Sequence, residues 1–228
     1  MPVFSNDPRT ERSLQHSLKD ATAFATMTGI GETYLSAFAL FLKASTPQIG
    51  LLASLPPMLA SLVQLFSAWL GRVTGRRKEI ILAGASIQAF AWLPILWLPL
   101  LVPEHAVPLL IVSVVLYHGG AHLTTPQWSS LLGDIVPPRK RGRFFAQRTR
   151  LITAMTFASL MAGGLILHFF NERGTTVYGF IVLFSTAIVA RMVSIYQLSR
   201  MHDPSGHVAA LEFPVGHGWC GRPCRASG

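Results

Sequence analysis

The chain has 228 residues, of which half are hydrophobic and only 13% are charged, against about 25% charged in an ordinary soluble domain. A soluble fold this short cannot hide so much apolar surface in one core, so a lipid bilayer is its natural solvent. The formal net charge of +9 falls in short blocks between apolar runs, which argues against nucleic acid as a partner and for membrane topology.

Residues 1–20, MPVFSNDPRTERSLQHSLKD, form a polar segment. It lacks the compact basic-then-apolar layout of a cleaved signal peptide, so the first span is expected to insert uncleaved. Residues 21–200 hold six apolar runs of roughly 20 residues, the length that crosses a bilayer core as helix. They are Ala21 to Leu42, Ile49 to Leu70, Ile80 to Leu101, Val107 to Trp128, Leu151 to Phe170 and Thr176 to Leu198. The expected class is an all-α polytopic membrane protein with six transmembrane helices. In the fourth run, YHGGAHLTTPQW places histidines, paired glycines and a proline together, which predicts a helix with a local defect. No connection is long enough for a separate domain. Residues 201–228 form a polar tail without an apolar run; it reads equally as a disordered cytoplasmic tail or as the end of a truncated or frame-shifted gene. The only cysteines, Cys220 and Cys224, lie in this tail, so there is no disulfide framework and no repeated pair of metal ligands.

Lysine and arginine set the expected orientation. Arg72, Arg76, Arg77 and Lys78 lie between spans two and three, and Arg139, Lys140, Arg141, Arg143, Arg148 and Arg150 lie between four and five. The alternate connections carry only Lys43, no basic residue, and Arg173. With Arg9, Arg12 and Lys19 before the first span and Arg200 after the last, both termini and both basic loops belong in the cytoplasm.

Ionisable residues within spans are costly and tend to serve a task. Glu32 lies about twelve residues into the first span, near the middle of the bilayer at a rise of about 1.5 Å per residue. Its rival reading is a protonated or hydrogen-bonded structural carboxyl. His118 and His122 are one helical turn apart and share a face. With no third ligand identified no metal is assigned to them, and proton handling, substrate hydrogen bonding and plain helix packing all remain open. Arg191 lies about seven residues from the cytoplasmic end of the sixth span, and its side chain is expected to snorkel toward the headgroups.

Two stretches carry a family resemblance. WLGRVTGRRKEIIL resembles the loop between spans two and three of the major facilitator superfamily, of the form G-x-L-A-D-R-x-G-R-R, with Leu70, Gly75, Arg76 and Arg77 in register. Ala68 stands where the first glycine would be and Arg72 where the aspartate would be, so the aspartate's charge contact does not carry over. Gly75 suits a tight turn, and the cations after it suit headgroup anchoring. TPQWSSLLGDIVPPRKRGRFFAQRTRL is similar to the fourth-to-fifth connection of a group of bacterial carriers of that superfamily, through Pro126, Trp128, Asp134, Pro137, Arg141, Gly142, Arg143 and Phe145. Topology and anchoring account for these arginines, with a gating contact to Asp134 as the alternative.

The resemblance implies the amino-terminal six-helix half of a major facilitator fold. It also implies a secondary active transporter of the bacterial inner membrane that moves a small solute by alternating access and couples it to protons. In that family the first and fourth spans line the cavity, which would turn Glu32, Tyr34, His118 and His122 toward the pathway. Implied partners are the lipid bilayer, a small-molecule substrate, protons, and a second half-transporter or a second copy. The chain holds no nucleotide-binding loop, and neither a cofactor nor an enzymatic activity is expected. Two rival readings are a non-transporting remnant or assembly partner of a carrier and a membrane-embedded enzyme, for which His118 with Glu32 is the only catalytic seed.

Overall fold

The computed structural model describes residues 4, 5, 7–101 and 103–203. The tail beyond 203, with Cys220 and Cys224, lies outside the described residues.

Helix α1 runs Pro8–Ile30, and its N-cap Asp7 accepts hydrogen bonds from the amides of Arg9 and Thr10, satisfying donors that the helix leaves unpaired. It stops at Gly31, where a Cβ would sit 2.7 Å from the Trp92 ring and 2.8 Å from the Ala187 side chain. A 3-10 turn, Glu32–Tyr34, follows and leads into the short helix α2, Leu35–Phe41. Phe38 fastens α2 to the bundle, its ring 5.0 Å from both Phe180 and Phe184. Helix α3, Thr46–Thr74, starts from a capping box made by Ser45 and Gln48 and ends at Gly75. Gly75 adopts a left-handed φ of +65°, the conformation that favours glycine after a helix. Then come α4 (Arg77–Leu101), α5 (Ala106–Ile135), α6 (Arg141–Glu172) and α7 (Thr176–Ser199).

Helices α3 to α7 are each long and apolar enough to cross a membrane. The first expected span, Ala21 to Leu42, is not among them. It is two helices with a turn at Glu32, and its first helix begins well upstream in the charged segment around Arg9 and Lys19. The fourth span also differs from expectation. It is a continuous helix through Pro126, and Gly120 of its glycine pair serves a seam between helices. A Cβ on Gly120 would lie 2.5 Å from the carbonyl oxygen of Gly84, so α4 and α5 touch backbone to backbone there. The basic connection after span four is mostly helical too, since α6 already begins at Arg141.

Helices α3 and α4 pack on α5, α1 packs on α6 and α7, and α4 against α7 joins the two groups. Two apolar clusters fill the bundle. One gathers Met27, Trp92, Tyr117, Phe180 and Phe184, and the other Leu14, Ile81, Leu131, Phe144 and Leu198. Asp20 on α1, Gln88 on α4 and Ser194 on α7 fall between them along their helices and are buried. A polar layer thus crosses an otherwise oily interior. Outside, α3 exposes Leu62, Leu65 and Trp69, and α6 exposes Phe157 and Leu165, surfaces that suit lipid or a second membrane-embedded partner rather than water.

Candidate functional site

The break after α1 sets the site. A 3-10 turn inside a span frees backbone groups and turns side chains away from the helix period. Glu32, the first residue of the turn, is half-buried, and its Oε2 accepts a hydrogen bond of 2.7 Å from the hydroxyl of Tyr117 on α5. Tyr117 is itself buried and packs edge-on against Trp92, 5.1 Å between ring centres, and against His118, 5.3 Å. His118 follows Tyr117 directly and lies one helical turn before His122 on α5. His122 Nδ1 lies 3.0 Å from Gln64 Oε1 on α3. Two polar pairs, Glu32 with Tyr117 and His122 with Gln64, therefore tie the first span and α3 to α5, with His118 between them along the helix.

Tyr34 does not join it. Its hydroxyl donates to the Leu160 carbonyl at 2.6 Å, and its ring lies on α6 where a Cβ on Gly163 would approach within 2.7 Å. The glycine pair in MAGGLIL makes room for this tyrosine.

At the end of the bundle that carries the basic segments, Arg77 is buried while Arg72 and Arg76 are exposed, with Arg76 3.4 Å from Glu79. Arg77 donates to Asp134 Oδ2 at 2.6 Å and to Ser130 at 2.9 Å, and lies 3.5 Å from Asp203. Asp134 thus pairs across α4 and α5 with Arg77 rather than with the arginines that follow it in sequence. Of those, Arg141 donates to the carbonyls of Gly133 and Val136 at the end of α5, while Gly142 and Arg143 are exposed. Gly75 supplies the turn that brings Arg77 inward.

Arg191 does not snorkel. It is only 2% exposed, and its Nη1 donates to Ser194 Oγ at 2.9 Å, which donates in turn to Asp20 Oδ1 at 2.6 Å. Asp20 also lies 3.5 Å from Arg148 of α6, and the Arg148 guanidinium sits 4.0 Å over the Trp128 ring. With this network in place, the interior is a better site for Arg191 than the headgroups. The network borders a cavity of about 220 Å³ lined by Asp20, Gln88, Trp128, Arg148 and Arg191, with Thr125 at its exposed edge. Asp20 reads in sequence as the last residue of a polar tail and Arg148 as part of a basic loop. The one available signal was periodic, because Phe144 and Arg148 are four residues apart and share the buried face of α6.

A family model described as Major Facilitator Superfamily matches residues 21–214. No curated protein and no solved structure matches the chain. The chain belongs to the major facilitator superfamily. It is a multi-pass membrane protein of a transporter family, and Arg77 and Asp134, one from each stretch that carries the resemblance, form the α4–α5 ion pair.

Proposed function

We propose that the protein is a secondary active transporter of the bacterial inner membrane. It moves a small solute by alternating access, with protons as the coupling ion and both termini in the cytoplasm. The chain supplies the amino-terminal six-helix half of such a carrier, and a second half or a second copy supplies the facing wall of the pathway. The observation that carries this reading is the carboxylate of Glu32, placed at a helix break and hydrogen-bonded to Tyr117 beside a histidine pair. A carboxyl group in that position can take a proton from one side and release it to the other as the cavity changes its opening.

The test uses the full chain in liposomes loaded with a pH-sensitive dye and challenged in turn with sugars, amino acids, organic anions and organic cations. One class of solute is expected to drive proton movement. Glu32→Gln keeps the shape and the hydrogen bond with Tyr117 but cannot ionise, so it should abolish gradient-driven accumulation while solute exchange continues. Unchanged accumulation at normal protein level would assign Glu32 to packing.

A further inference from the structure

The cavity inside the polar layer has a composition that points to a ligand. Two guanidinium groups, Arg148 and Arg191, face a single carboxylate, Asp20, and among the described residues no other charged side chain lines the space. Asp20 makes its close ionic contact with Arg148 and reaches Arg191 only through Ser194. Arg191 is therefore a buried cation without a carboxylate of its own among the described residues, which is unfavourable unless something pairs with it.

Hydrogen bonding gives the same indication independently. Gln88 Oε1, Trp128 Nε1, Arg148 Nε and Arg191 Nε are all buried without a hydrogen-bond partner, and all four residues line the cavity. Buried polar groups are normally satisfied, and three of these four are donors. The rest of the wall is Phe24, Ala121 and Leu198 with the two hydroxyl-bearing residues Thr124 and Thr125. At about 220 Å³ the space is smaller than the roughly 300–1,000 Å³ of pockets for drug-sized molecules. Ala121 and Thr125, which flank His122 on α5, form part of its wall, so the cavity adjoins the helix face that bears the histidine pair.

We propose that this cavity binds a small organic monoanion, with its carboxylate between Arg191 and Arg148 and its apolar body against Phe24 and Trp128. One uncompensated positive charge selects a monoanion over a dianion or a cation. Planar guanidinium groups favour a carboxylate, which they can grip through two parallel hydrogen bonds. Calling this anion the cargo rests on the carrier reading above, whereas its binding does not.

The full chain in detergent is titrated with benzoate, with butyrate as a slimmer carboxylate, and with benzamide as the neutral counterpart of benzoate, while tryptophan fluorescence is followed. A saturable change is expected with at least one carboxylate and is lost in Trp128→Phe. Benzamide should bind at least about tenfold more weakly, a difference of about 1.4 kcal/mol. Arg191→Met should weaken the carboxylate by a similar factor. Should that variant fail to fold, Ala121→Phe fills the space with both arginines in place and should abolish binding. Equal binding of benzoate and benzamide, binding that survives Ala121→Phe, or no saturable response to either carboxylate would overturn the proposal and leave the cavity to water. Saturable binding without uptake by the reconstituted protein would keep the anion site and remove the carrier reading. Proton-coupled uptake of some other solute without anion binding would do the reverse.

Discussion

Arg77 shows how one side chain can tie two helices at a membrane surface. Its side chain is 6% exposed and that of Asp134 is 38% exposed, so the pair is partly shielded from water and screened less than a surface bridge. Asp134→Ala leaves Arg77 with Ser130 and the longer contact to Asp203. The expected loss is about 1–3 kcal/mol, the range for leaving a buried polar group poorly satisfied, measured by unfolding in detergent. In a cycle with Arg77→Ala the two losses should not add, whereas additive losses would show that the residues act separately. The sequence marked both residues through their loop patterns but did not pair them, because each pattern is local. The same limit hid Asp20 and its partner Ser194, which are 174 positions apart. Residue type and spacing report on neighbours in the chain, and ionic partners in a bundle are chosen by packing.

At the level of the helices, the doublet Gly119–Gly120 offers a matched comparison. Gly120 meets the Gly84 carbonyl and the Gln88 backbone, while nothing lies within 4 Å of a Cβ placed on Gly119. Gly120→Ala should therefore destabilise the protein by about 1–3 kcal/mol through overpacking. Gly119→Ala should stabilise it by about 0.4–1 kcal/mol, since alanine suits a helix interior better than glycine. Thermal melts should rank Gly119→Ala above the parent chain and Gly120→Ala below it; the opposite order would mean that the seam lies elsewhere. Helices α3 to α7 were legible in the sequence because long apolar runs admit little else in a bilayer. The break in the first span was not. Gly31 is one glycine in GIGETYL, and its requirement for close contact comes from Trp92 and Ala187 on two distant helices. The local defect expected in the fourth span does not break the helix, and Gly120, which looks like flexibility in the sequence, marks tight contact instead.

For the whole molecule, the distribution of arginine predicts the orientation. Ser45 and Glu104 are exposed and border connections poor in basic residues, and Pro138 is exposed within a basic one. Single cysteines at Ser45 and Glu104, in a background without Cys220 and Cys224, should react with a membrane-impermeant reagent added to intact cells. One at Pro138 should react only after the cells are opened. Labelling of Pro138 from outside would invert the topology. The fold also has a history built into it. Of the described helices α1 is made first, yet it packs against α6 and α7, the last two, and it is not among the helices apolar enough to span alone. Asp20 meets Ser194 only after nearly all of α7 has been made. Its ionic partner Arg148 is available earlier, on α6, but until α6 is made Asp20 has no described cation beside it and α1 has neither of its main neighbours. Assembly of this bundle is therefore governed by contacts of long sequence separation: α1 gains its packing partners, and Asp20 its ionic partner, only when α6 and α7 arrive, which places closure of the core late.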